Sequence, residues 1–129
     1  MKGKCYYFND VRQSYEKAQS SCAEKFKPNL GRLFEPPSLD VNNAVLRASR
    51  PVVKGAINLF SIGVKRKTGE NDFKYASSGA KVPFDLPWGY NMNRHFNTGY
   101  CVIARNGPQD LKWLNQSCDY PRYSICEPV

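Results

Sequence analysis

The stretch Tyr100-Cys-Val-Ile-Ala-Arg105, Lys112-Trp-Leu-Asn-Gln-Ser-Cys118 and Tyr123-Ser-Ile-Cys-Glu127 decides how the rest of the chain is read. Three of the five cysteines sit here, each inside or beside a short apolar or aromatic run. Asn106-Gly-Pro108 and Tyr120-Pro-Arg122 supply turn residues between the runs. Short β-rich runs bounded by such punctuation predict three strands, and the cysteines predict that they are stapled.

Working outward, 129 residues allow one domain with a real core, residues 1–129, and not two. Nine Gly and nine Pro predict many turns, and no run is long enough to span a bilayer. Met1-Lys-Gly-Lys-Cys5 passes straight into a strand-like run, so no leader peptide is read there. Five cysteines without Cys-x-x-Cys spacing, and one remote histidine, His95, argue against zinc. Disulfides in an oxidising, extracellular setting fit better, with Cys5 the unpaired member and its partner expected upstream of Met1. A native free thiol or an inter-chain bridge through Cys5, giving a homodimer, stays open.

Nineteen Lys and Arg against eleven Asp and Glu give a formal charge of +8, which favours acidic partners. The basic residues are scattered and the densest run is Lys65-Arg66-Lys67, so nucleic acid is the least favoured of them. Solubility alone explains such a charge equally well.

Upstream, Cys5-Tyr-Tyr-Phe-Asn9 reads as a first strand. Ser14 opens a helix whose Tyr15, Ala18, Cys22 and Phe26 share one face. Ser38 caps a second helix running to about Ala48, with Val41, Ala44, Val45 and Ala48 as its inward stripe. Residues 52–57 are ambiguous. Phe60–Arg66 and Phe73–Ala76 read as strands. Residues 80–98 show no period and predict a long irregular loop, of the kind that is often functional. An enzyme is disfavoured, since no nucleophile motif or carboxylate pair is present and His95 beside Arg94 reads as an exposed loop residue.

This arrangement resembles the C-type lectin-like domain over essentially the whole chain. Cys5-Tyr-Tyr-Phe8 is similar to the family's Cys-Tyr-x-Phe start, and Ala18 with Cys22 to its Ala-x-x-x-Cys helix. Phe60-Ser-Ile-Gly-Val64 is similar to its Trp-Ile-Gly-Leu strand, and Phe73-Lys-Tyr-Ala-Ser-Ser-Gly79 stands where a Trp-x-Trp-x-x-Gly strand is usual. The resemblance implies an α+β C-type lectin-like fold, two helices packed on small antiparallel sheets with a long loop. It also implies disulfides Cys22–Cys126 and Cys101–Cys118, and a longer form in which Cys5 pairs within an N-terminal hairpin truncated here.

Sugar-binding members of that family hold calcium through the long loop and the strand before the penultimate cysteine. Calcium takes six to eight oxygens, several of them charged. The loop motif, Glu-Pro-Asn or Gln-Pro-Asp, is replaced by Trp88-Gly-Tyr-Asn-Met-Asn93, and the strand motif Trp-Asn-Asp by Trp113-Leu-Asn115. An acid usual before the Cys-Val pair gives way to Gly99-Tyr100, and Asp85 is the only carboxylate between Phe73 and Gln109. Neither calcium nor another cofactor is expected. Asn115-Gln-Ser117 also forms an N-glycosylation sequon on the former ligand position.

Two functions follow as expectations for an extracellular domain, secreted or the ectodomain of a membrane protein. One is calcium-independent recognition of a protein or cell-surface ligand through the long-loop face, with Tyr90, Asn91, Asn93, Arg94, His95 and Phe96 as contact residues. The other is calcium-independent binding of anionic, sulfated glycans through Lys65, Arg66, Lys67, Lys74 and Lys81. Trp113 is expected in the core, and among Trp88, Tyr90 and Phe96 some are expected to anchor the loop.

Overall fold

The computed structural model describes residues 4–55, 57–89, 100–108 and 111–129. Its elements are β1 (Tyr7–Gln13), α1 (Tyr15–Lys25), β2 (Gly31–Leu33), α2 (Leu39–Ser49), β3 (Leu59–Lys65), β4 (Lys74–Tyr75), β5 (Cys101–Arg105), β6 (Trp113–Gln116) and β7 (Arg122–Pro128). The strands join in one sheet with the path β1-β7-β3-β5-β6, to which β2 adds on β7 and β4 on β3.

The pairings are antiparallel except one: β3 and β7 run parallel at Phe60–Tyr123 and Ser61–Ser124. The sheet is therefore mixed and continuous, where small antiparallel sheets were expected. Some sixty residues of chain separate the two strands, ample for the crossover that a parallel pair requires. β2 has no counterpart among the strands expected from sequence. Its three residues are too few to display a period, and it exists by pairing Gly31, Arg32 and Leu33 with the end of β7.

Both helices start where their caps predict. Ser14 Oγ accepts from Lys17 N at 3.4 Å, and Ser38 Oγ from Val41 N at 3.2 Å. α1 buries Tyr15, Ala18 and Cys22 as expected, with Phe26 packed against them. α2 does not bury the stripe read from its apolar residues. Its inward positions are Asn42, Val45, Leu46 and Ser49, while Ala48 is exposed. The register is set by two polar side chains that the core uses. Asn42 Oδ1 accepts from the Trp113 indole at 2.9 Å, and Ser49 Oγ accepts from Asn106 Nδ2 at 2.9 Å. Asn106 Oδ1 in turn accepts from Asn58 N at 2.6 Å, so this network fastens the connection between α2 and β3.

The main core lies between α2 and the sheet, around Phe34, Leu46, Phe60, Ile62, Val64, Val102, Trp113 and Ile125. A second cluster, of Tyr15, Ala18, Cys22, Leu33, Cys101 and Cys126, packs under α1. Both disulfides run through this second cluster. Cys22–Cys126 ties α1 to β7, and Cys101–Cys118 ties β5 to the turn after β6. They close loops of 104 and 17 residues. In the chain-entropy account these contribute about 4.7 and about 3 kcal/mol.

Candidate functional site

The long loop leaves and rejoins the sheet at anchored roots. Trp113 N donates to Pro87 O at 2.7 Å and Gly89 N donates to Trp113 O at 2.9 Å, so the outgoing root lies along β6. Trp88 is half-buried there, edge-on to Phe73 at 4.9 Å and to Trp113 at 6.3 Å between ring centroids. Among the described residues it anchors the loop together with Phe84, which lies edge-on to Trp113 at 5.9 Å. Trp113 itself is fully buried, as expected for a core residue. At the returning root, Tyr100 O accepts from Arg66 N at 2.8 Å. The contact residues expected on the loop, Tyr90, Asn91, Asn93, Arg94, His95 and Phe96, lie outside the described residues.

At the strand position where sugar-binding relatives supply calcium ligands, β6 alternates. Trp113 and Asn115 face inward, with Asn115 7 % exposed, whereas Leu114 and Gln116 are half-buried on the opposite face. Leu114 offers no oxygen from its side chain and the Asn115 carboxamide is enclosed. This donor set does not fit calcium, which needs several charged oxygens converging on open space. Among the described residues no cluster of three or more His, Cys, Asp or Glu side chains could hold a metal ion.

The basic residues divide. Arg66 is 5 % exposed, and its guanidinium lies 4.4 Å from the Tyr100 ring centroid and 5.8 Å from that of Phe73. Its Nη1 donates to Glu70 O at 2.9 Å. Arg66 therefore belongs to the packing of the β3–β4 connection and is withdrawn from the set of anion-binding candidates. Its planar cation stacks on aromatics, and this suits it to burial where a lysine would stay in water. Lys67 and Lys81 are exposed, and Lys65 and Lys74 are half-buried. The structure brings three of these together: Lys65 pairs with Lys74 across β3 and β4, and Lys74 with Lys81 across the next bridge.

A second charged group was not legible as a cluster in the sequence. Glu127, 1 % exposed, accepts from Arg32 Nε at 2.8 Å and Glu35 N at 3.1 Å, with Lys4 Nζ 3.4 Å away. Glu35 accepts from Ser77 N and Ser77 Oγ, both at 2.9 Å. The pair binds β2, β7 and the turn after β4 into one frame. Gly63 makes room for it, since a Cβ there would stand 2.6 Å from Glu35 Cγ. Nearby carboxylates and burial act on the tyrosines. Burial first, then the Glu35 charge, raises Tyr15 and Tyr75 above the ordinary phenol range, and burial followed by Glu127 does the same for Tyr6. Cys5 is exposed and unpaired.

Comparison with known proteins agrees with this architecture. Residues 11–128 match the family model described as the Lectin C-type domain. Among solved structures, human lithostathine is similar with a TM-score of 0.80 and 24 % identity, over 96 % of this chain and 90 % of that one. The C-type lectin CEL-I from Cucumaria echinata is similar with a TM-score of 0.80 and 20 % identity, over 98 % and 90 %. A Ca2+-dependent type II antifreeze protein in its Ca2+-free form gives a TM-score of 0.77 at 18 % identity, over 100 % and 94 %. At these identities the likeness speaks for the fold alone. No curated protein matches the sequence significantly. With a family model spanning nearly its whole length and the two expected disulfides in place, the chain belongs to the C-type lectin domain family.

Proposed function

We propose that this C-type lectin domain is a non-catalytic, extracellular recognition module that binds a protein or cell-surface ligand without calcium, through the face bearing its long loop. One observation carries the reading. The β6 position used for calcium in sugar-binding members presents Leu114 and an enclosed Asn115, and the loop from Trp88 to Tyr100 contains no carboxylate. A divalent cation held between β6 and this loop would find no carboxylate in either stretch, too weak a set for a tight site. The loop roots nevertheless stay pinned by Trp88 and Arg66, so presentation of the loop does not depend on a metal.

Outward-facing residues near the loop are then free to serve as contact surface, as Tyr and other aromatics commonly do at interfaces. No described helix is long and apolar enough to cross a membrane. Secretion and attachment as an ectodomain are both compatible with that reading.

A glycan array probed with and without EDTA tests the proposal. The expected pattern is unchanged by EDTA, with no binding to neutral sugars; neutral-sugar binding abolished by EDTA contradicts it.

A further inference from the structure

Beyond the loop face, the strand register assembles a surface of a different kind. Lys65 and Lys74 are directly opposed on β3 and β4, and Lys74 is opposed to Lys81. Tyr75 N donates to Ala80 O at 2.9 Å, which makes Lys74–Lys81 a non-hydrogen-bonded pair, the kind with side chains closest. Residues opposed in this way project from the same face, so three lysine side chains leave the sheet on one side in a row. Like charges placed directly opposite one another oppose sheet formation, and here the sheet keeps them.

Two of the row, Lys65 and Lys74, border a cleft of about 230 Å³ that Lys67, Glu70, Ser78 and Gly79 also line. Its one carboxylate is Glu70, 3.1 Å from Lys74 Nζ, so three cations face one anion before Lys81 is counted. Lys81 borders instead a neighbouring hollow with Asp72 and Asp85, which lowers its share of the field. Lys65 Nζ lies 5.8 Å from the Tyr15 ring centroid and Lys67 is exposed. The floor is fixed rather than pliable, because Ser77 is held twice by Glu35. Ser78 Oγ accepts from Ala80 N at 3.1 Å, which leaves its hydroxyl proton to donate outward.

We infer that this cleft is a binding site for a multiply charged sulfate- or phosphate-bearing ligand, separate from the long-loop face and independent of whether that face uses calcium. The anion would relieve the repulsion along the lysine row and accept from Ser78, while Glu70 can accept from hydroxyls of a carrier such as a sugar.

The test uses the full chain with two probes, a sulfated heparin tetrasaccharide and inositol hexakisphosphate, titrated calorimetrically at about 50 mM and about 300 mM salt, on either side of strong screening. The expected result is saturable binding of at least one probe, weaker at the higher salt. In the triple variant Lys65→Gln/Lys67→Gln/Lys74→Gln, affinity should fall by about tenfold, the sum of three exposed ion pairs of ordinary strength. A control with the same net charge, Lys17→Gln/Lys27→Gln/Lys54→Gln, should lose less than about twofold, since its exposed lysines act only through the screened field. The corresponding Lys→Arg triple variant should retain binding, which separates lost charge from lost folding. Preference for the tetrasaccharide identifies a sulfated glycan as the source, and preference for the other probe a phosphate. Equal losses in the cleft and control variants, or no binding of either probe, would overturn the inference.

Discussion

Truncating Arg66 would remove the donor to Glu70 O and leave the rings of Phe73 and Tyr100 facing a void. A buried cation–π stack and a charged hydrogen bond together make Arg66→Ala destabilising by about 2–3 kcal/mol. Arg66→Lys should recover only part of that, because an ammonium cannot stack as a plane. Urea denaturation reads both; an unchanged midpoint for the alanine variant would contradict the burial assigned to this side chain. In sequence Arg66 is indistinguishable from its neighbours Lys65 and Lys67. Strand alternation alone cannot assign it, since it follows the last residue of β3 and is turned inward by aromatics from elsewhere in the chain. The inward placement of Asn42 and Asn115 was passed over for a related reason. An apolar count passes over polar residues, yet the core needs Asn42 to accept from the Trp113 indole, and β6 alternation turns Asn115 inward.

At the scale of elements, the joint between α1 and β3 is a single buried phenol. Tyr15 is 3 % exposed and donates to Ile62 O at 2.8 Å, and burial followed by the Glu35 charge raises its pKa far above the usual value. A group that holds its proton more tightly when folded adds stability below the unfolded pKa, near 10 for tyrosine. That contribution is lost as pH climbs beyond about 10, because the unfolded chain then releases a proton the native state retains. Tyr6 and Tyr75, also raised by burial, act in the same direction. Stability should therefore fall with pH above about 10, and Tyr15→Phe should flatten the fall while costing about 1 kcal/mol at neutral pH for the lost hydrogen bond. Denaturation series at neutral and alkaline pH check this; an identical alkaline slope in the variant would contradict it. The capped helices and long strands were legible because each carries its own local signal, Ser14 and Ser38 for the helix starts and the aromatic and β-branched runs for β3 and β7. β2 and the parallel contact of β3 with β7 carry none, since both are set by pairing partners distant in the chain.

For the whole molecule, the cysteine framework is the most readable feature, because the resemblance to the C-type lectin-like domain implies both pairings and the structure forms both. Cys22–Cys126 closes nearly the entire domain, and its loss removes a constraint that acts mainly on the unfolded chain. The candidate sites were less legible. The lysine cleft depends on register, which places Lys65, Lys74 and Lys81 in a row although Lys65 and Lys81 lie sixteen positions apart in sequence. The proposed calcium independence, in contrast, rests on residue types: Leu114-Asn115 where the family motif has Asn-Asp, and no carboxylate from Trp88 to Tyr100. In the proposed reading fold and chemistry separate, with the lectin framework kept and the oxygen set of the metal site replaced. Calorimetric titration with millimolar calcium, accompanied by melting curves, tests that claim most directly. The account predicts no saturable heat and no rise in melting temperature beyond that given by magnesium at equal ionic strength; a saturable calcium isotherm with a matching thermal stabilisation would contradict it.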